Sequence, residues 1–144
     1  MNLHIEFLQE KDILGVKEVA EWFEEFNPEN IKAFLSEKQN IAFVAKLDGK
    51  VIGLIYGYSL ACMDNIAPQF FIYSVDIHSE YQDKGYGSYF IEYVLNWARE
   101  NGFSESFVFT NKDNPRACRA YEKAGMTHSK SDCERMYVVE YTGG

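Results

Sequence analysis

Very little in this 144-residue chain belongs to a secreted, fibrous or membrane protein. Cysteine is sparse: Cys62, Cys118 and Cys133 make an odd number without the spacing of metal ligands. That usage fits free thiols in a reducing compartment, and no metal site is expected. Proline is equally rare, with three in all and no Pro/Ser-rich tract, repeat or low-complexity segment. With no linker in view, one domain over residues 1–144 is expected. No apolar run approaches the roughly 20 residues that span a bilayer. Glu6, Glu10 and Lys11 interrupt the stretch where a signal peptide would be apolar, so a cytoplasmic protein with no membrane partner is expected. Positive charge is the last scarcity, at 14 Lys and Arg against 22 Asp and Glu, a net charge of −8. Nucleic acid is disfavoured as a partner, because binding phosphate backbones needs basic surface. A cationic small molecule is favoured by long-range attraction. A merely solvated acidic surface is the plainer reading of the same residues.

What the chain does have is apolar and aromatic mass, 47% and 16% of its residues, enough for a substantial core. Residues 3–7 read as a first strand. Residues 11–26 read as a helix, with Ile13, Val16, Val19, Ala20 and Phe23 spaced for one face. Asn27-Pro28 then offers a cap and a first helical position for a second helix carrying Ile31, Phe34 and Leu35. Residues 41–47 and 51–60 are strands joined by Asp48-Gly49, a strong hairpin signal. Residues 70–77 form another strand, and residues 86–101 a helix with Phe90, Ile91, Val94, Leu95 and Ala98 on one face. A strand over 106–110, a helix opened by Asn114-Pro115 and ended by Gly125, and a closing strand over 135–141 complete the order β-α-α-β-β-β-α-β-α-β. The expected fold class is α/β (α+β), with a mixed, mostly antiparallel sheet flanked by helices on both faces.

Between the fourth strand and the third helix lies Tyr81-Gln82-Asp83-Lys84-Gly85-Tyr86-Gly87-Ser88. Two glycines there let the backbone turn tightly and leave a row of N–H groups at a helix N-terminus, a surface suited to phosphate. The pattern is neither a P-loop nor a dinucleotide fingerprint. Alone, Gly85 and Gly87 are equally readable as turn glycines. About thirty residues on stands Asn114-Pro115-Arg116-Ala117-Cys118-Arg119-Ala120-Tyr121-Glu122-Lys123-Ala124-Gly125.

The two blocks in this order resemble the acetyl-CoA site of the GNAT superfamily of N-acetyltransferases. The first is similar to its Q/R-x-x-G-x-G/A loop, the second to its N-x-x-A-x-x-x-Y-x-K-x-G helix, and the resemblance covers nearly the whole chain. It implies a GNAT fold and transfer of an acetyl group from acetyl-CoA to a primary amine by direct attack in a ternary complex. The backbone of Gln82, Asp83, Lys84, Gly85, Tyr86, Gly87 and Ser88 would hold the pyrophosphate, with Lys84 adding charge. Val75 and Ile77 would pair with the pantetheine arm, and the Ile77 N–H would polarise the thioester carbonyl. Asn114 would bond the pantetheine region, and Tyr121 would protonate the leaving thiolate. In the plainer reading Tyr121 is a core aromatic, Asn114 an N-cap, and Cys118 a packing residue.

The chain departs from the family where Ser79 replaces a common proline and Asp83 a frequent glycine. Phe71 and Tyr73 occupy positions where many members carry a glutamate base. Asp76 is then the nearest acidic candidate for the base, with a solvated strand residue as its alternative.

A weaker resemblance, over residues 27–87, is to aminoglycoside 3-N-acetyltransferases of the gentamicin-resistance type, although Ser74 stands where that subfamily has an aspartate. It implies an acidic acceptor cleft, for which Glu24, Glu25 and Asp64 are the candidates. A peptide or protein amine, or a silent acyl-CoA-binding module, are the alternatives. Dimers are common in the superfamily, so a homodimer is possible.

Overall fold

The computed structural model describes residues 2–20, 25–128, 137, 139 and 140. Five strands form one sheet in the order β1-β2-β3-β4-β5. They are β1 (Leu3–Phe7), β2 (Asn40–Leu47), β3 (Lys50–Leu60), β4 (Gln69–Ile77) and β5 (Glu105–Val108). The first four run antiparallel to their neighbours and β5 runs parallel to β4. The helices are α1 (Ile13–Val19), α2 (Pro28–Leu35), α3 (Tyr86–Glu100) and α4 (Pro115–Lys123).

Local chemistry explains most boundaries. Asp48 and Gly49 both adopt positive φ, 50° and 81°, as the tight two-residue hairpin turn requires. The Asn27 side chain accepts from the Glu29 N–H at 3.0 Å and Pro28 occupies the first turn of α2.

Alternation along β2 sends Ile41, Phe43 and Ala45 to one face and Ala42 and Val44 to the other. On the first face α3 buries Phe90, Ile91 and Val94 against Phe43, Phe70 and Ile72. Each such side chain contributes roughly 1.5–3 kcal/mol of burial. On the second face α1 sets Val16 and Val19 against Val44, Val51 and Leu54, with Phe34 of α2 beside them. Lys46 ties β2 to β1 and to the turn before α1, reaching Glu6 at 2.6 Å and the buried Asp12 at 2.7 Å.

Two expectations need correction. The first helix is shorter than 11–26: Glu10–Asp12 is a single 3₁₀ turn, α1 begins at Ile13, and Ala20 has left the helix with φ −100° and ψ 60°. The apolar spacing was right, since Val16, Val19 and Ala20 are buried, but packing on the sheet does not need the helix to continue. Phe23, offered for the same face, lies outside the described residues. The fifth strand spans Glu105–Val108 rather than 106–110. Its last partner is Ile72, and the next residue of β4, Tyr73, is an extra residue in the β3–β4 ladder, where Tyr56 pairs with Ser74 but Gly57 with Ile72. A bulge turns the strand away from its neighbour, so the β4–β5 ladder ends where β4 bends. The expected closing strand, 135–141, falls mainly outside the described residues, and Tyr137, Val139 and Glu140 within it carry no strand geometry.

Candidate active site

Among the described residues no strand pairs with the β5-side edge of β4 beyond the bulge. Pairing to β5 stops at Ile72, while pairing to β3 continues to Ile77. The His78 N–H points to β3, donating to Ile52 O at 2.8 Å. Successive backbone groups alternate in direction, so the N–H groups of Ile77 and Val75 face the open side. The Ile77 carbonyl faces the same way and accepts from Gln82 Nε2 at 2.9 Å. A strand with unpaired groups on one edge offers a main-chain template to an extended ligand.

Beyond Ile77 the chain crosses into the glycine loop. Asp83 takes φ 63° and Gly85 φ 85°, and Gly85 stands at the N-cap of α3. Glycine brings no side chain to cap the helix, so the N–H groups of Tyr86, Gly87 and Ser88 remain available at the positive end of the helix dipole. Gly87 is glycine for a different reason. A Cβ there would meet only Ile77 Cγ1, at 3.7 Å, so the fold itself leaves room for a side chain. The vacant volume opens into the cleft, where Gly87 forms part of the wall.

The cleft, about 720 Å³, runs from the glycine loop along β4 to α4. Val75, Asp76, Ile77, Gln82, Asp83, Gly85, Gly87, Ser88, Asn114 and Tyr121 all line it. Lys84 and Tyr86 do not: the Lys84 Nζ sits 5.8 Å above the Tyr81 ring and Tyr86 packs near the same ring. Asn114 caps α4, its Oδ1 accepting from the Ala117 N–H at 3.2 Å. That capping bond uses the carbonyl side of the Asn114 amide.

Three cationic residues of the second motif block were given no role in the sequence reading. Arg116, Arg119 and Lys123 line the cleft from α4; their spacing of three and four residues on one helical face was the signal available. Arg116 also resolves the unusual carboxylate in the loop. Its Nε and Nη2 pair with the two Asp83 oxygens at 3.1 and 3.2 Å, and its Nη1 donates to Gln82 Oε1 at 2.7 Å. The chain Ile77–Gln82–Arg116–Asp83 thereby links strand, loop and helix.

Tyr121 faces the cleft from the apolar side of α4 and packs on the main core. Burial pushes its phenol up to about 12, with the charge of Asp76 and then Cys118 adding to the shift. Asp76 accepts from Ser74 Oγ at 2.6 Å and raises Tyr56 as well, after burial and the neighbouring Tyr58 and Tyr73, to about 12. A raised phenol pKa means the folded state keeps a proton that the unfolded chain loses near pH 10. The stabilisation is complete below pH 10 and fades as pH climbs toward 12. In an alkaline absorbance titration, phenolate from Tyr56 and Tyr121 is expected to lag the ordinary tyrosines, and Tyr121→Phe to remove one lagging component. A single transition near pH 10 in the folded protein would contradict this placement.

The acceptor-side candidates separate. Glu25 lines a second hollow, about 590 Å³, between α2 and the sheet. Asp64 stands exposed in the loop between β3 and β4 and lines neither cavity. Glu24 lies outside the described residues. Among the described residues no cluster of metal-binding side chains occurs, and no helix is long and apolar enough to cross a membrane.

Residues 8–126 match the model of the acetyltransferase (GNAT) family. Among curated proteins, a probable N-acetyltransferase camello of Xenopus tropicalis is 22% identical over 111 residues, 77% of this chain and 49% of that protein. The chain thus spans about half the length of the curated relative it matches. Among solved structures, an aminoglycoside acetyltransferase from an uncultured soil metagenomic sample, in complex with sisomicin, superposes with a TM-score of 0.81 at 23% identity over 96% of this chain and 97% of that one. A ribosomal-protein-alanine N-acetyltransferase from Brucella melitensis biovar Abortus superposes with a TM-score of 0.79 at 16% identity, covering 98% and 100%.

Proposed function

Because the chain belongs to the GNAT acetyltransferase family, we propose that it moves the acetyl group of acetyl-CoA to the primary amine of a small cationic molecule, with both substrates bound at once. The observation that carries this reading is the convergence of the glycine loop, the open edge of β4 and Tyr121 on one cleft. Acetyl-CoA supplies the activated acyl group. The N–H groups of Tyr86, Gly87 and Ser88 hold its pyrophosphate, with positive charge supplied by Arg119 and Lys123. Arg116 stays with Asp83, neutralising a carboxylate that would otherwise repel the phosphates.

Val75 and Ile77 bond the pantetheine arm through their free edge, and the Ile77 N–H stabilises charge developing on the thioester oxygen. Asn114 offers its remaining amide N–H to the same arm. Tyr121, kept protonated by burial, donates its hydroxyl proton toward the departing sulfur. Asp76 draws the ammonium to the reacting end and takes its proton, a role supported by its charge reaching Tyr121 and Tyr56 alike.

Among the described residues no cysteine lines the cleft, and Cys118 sets its Sγ against the Asn111 carbonyl at 3.9 Å. Direct transfer is the reading this supports. An aminoglycoside acceptor is supported by the similarity to an aminoglycoside acetyltransferase, and a peptide amine by that to the ribosomal-protein enzyme.

Release of free thiol from acetyl-CoA in the presence of an amine panel tests the reading. Tyr121→Phe is expected to lower turnover about 100-fold while coenzyme A affinity, measured by calorimetry, holds. An unchanged rate would remove Tyr121 from the chemistry, and coenzyme A binding without turnover on any amine would favour a silent binding module.

A further inference from the structure

The second hollow is walled in part by aromatic rings. Tyr73 does not line it but stands beside it on β4, just past the last residue paired with β5, and is 55% exposed. Tyr56 and Tyr58 on β3 come within 5.5 and 5.8 Å of the Tyr73 ring centroid. Phe34 of α2 meets both edge-on, at 5.3 and 5.8 Å. Three phenols and a phenyl ring thus share one corner. Phe34, Tyr56 and Tyr58 line the hollow with Ile31 and Leu54, while Asn27, Asn30 and Glu25 supply the polar side of its lining.

This corner adjoins the acetyl-donor cleft through β4. Asp76 and Ser74 stand opposite Leu54 and Tyr56 in the ladder. Side chains paired across antiparallel strands share a face, so Asp76 lies on the face of the hollow while also lining the donor cleft. Asp76 thus lines the donor cleft and shares a sheet face with Leu54 and Tyr56 of the hollow.

We propose that the aromatic hollow binds the body of the acceptor, and that the acceptor is a primary amine bearing a single ammonium group on a compact, ring-bearing apolar body. The inference rests on the acetyltransferase reading for its chemistry, and on this hollow alone for its specificity. Ring faces attract a cation through their quadrupole and bury an apolar body at the same time. A hollow of about 590 Å³ has the size of a small-molecule site. The body lies against Phe34, Tyr56 and Tyr58, and the ammonium points past Tyr73 toward Asp76 and the thioester. Among the described residues that line the hollow only Glu25 is acidic, a lining suited to one ammonium group on an apolar body.

Two measurements separate this inference from the reading beneath it: thiol release from acetyl-CoA, and calorimetric binding of the amine to enzyme preloaded with coenzyme A. Phenethylamine is expected to exceed butylamine in kcat/KM by about tenfold, and to exceed spermidine and sisomicin. Tyr73→Ala is expected to raise the KM for phenethylamine about tenfold, with Tyr73→Phe restoring it and coenzyme A affinity unchanged. Turnover that prefers sisomicin or spermidine, or that ignores Tyr73, would overturn the hollow and leave the acetyltransferase standing. Phenethylamine that binds in a Tyr73-dependent way without being acetylated would support the hollow and overturn the catalytic reading instead.

Discussion

Gly57→Ala, at the tightest site for an added Cβ among the described glycines, is expected to lower the melting temperature by about 10–15 °C. A Cβ at position 57 would stand 2.0 Å from the Phe71 carbonyl oxygen and 3.0 Å from Ile72 Cα. Both obstacles are backbone, so no rotamer change relieves the overlap. The β3–β4 ladder would have to part where it carries the Tyr73 bulge. Breaking it there costs about 4 kcal/mol, within the range of severe single mutations. That is a large share of the 5–15 kcal/mol that holds a typical domain together. Thermal melts of the two proteins decide the matter. An unchanged melting temperature would mean that β3 and β4 do not approach as closely at the bulge as described, and the open edge of β4 would lose its explanation.

Position 87 is expected to behave in the opposite sense. There the added Cβ has space, its nearest neighbour being Ile77 Cγ1 at 3.7 Å. Gly87 lies in the first turn of α3, where replacing glycine by alanine favours the helix by about 0.5–1 kcal/mol. Gly87→Ala should therefore melt slightly higher than the parent without ligand, yet bind coenzyme A less well. On the proposed reading Gly87→Val fills the cradle and is expected to part the phosphate from the first-turn N–H groups. Loss of two charge-assisted bonds corresponds to about a 1,000-fold fall in affinity. Calorimetry with coenzyme A, beside melts of the free proteins, reads both signs at once. Full affinity in Gly87→Val would dismiss the loop as the phosphate site, and a collapsed melting temperature would show that Gly87 serves the fold.

The contrast between these two glycines shows what the sequence could express. Gly87 was legible because it belongs to a spaced pattern, Gln82-x-x-Gly85-x-Gly87, with a strand before it and an amphipathic helix after it. Gly57 sits in an apolar strand, and nothing nearby in the chain announces that the Phe71 carbonyl will take the space of a Cβ there. A bulge is a property of two strands, so one strand's periodicity cannot reveal it. For the same reason the strand at 105–108 was placed slightly late: its end is set by a bend in β4.

Arg116 was hidden by another kind of distance. Its partners, Gln82 and Asp83, lie 34 and 33 residues away, and in the sequence Asp83 stood out only as a departure from a frequent glycine. Asn114 showed the reverse, since the plainer reading of a helix cap is what its Oδ1 does. The aromatic hollow was invisible because Phe34, Tyr56, Tyr58 and Tyr73 come from three elements, and each alone reads as a core residue. The spacing of the apolar residues within each strand and helix was local, and the order of elements along the chain followed from it.

The main core draws its buried side chains from the sheet and α3, whereas α2 and α4 contribute no fully buried residue. Each of these lightly held helices walls one of the two cavities. Elements with little buried area open locally at low free-energy cost, while the core stays closed. The molecule is therefore graded in rigidity, with a firm platform of strands and two more lightly held helices, each walling one cavity. A ligand that bridges such a helix to the platform would supply contacts the helix lacks, and so would stabilise it.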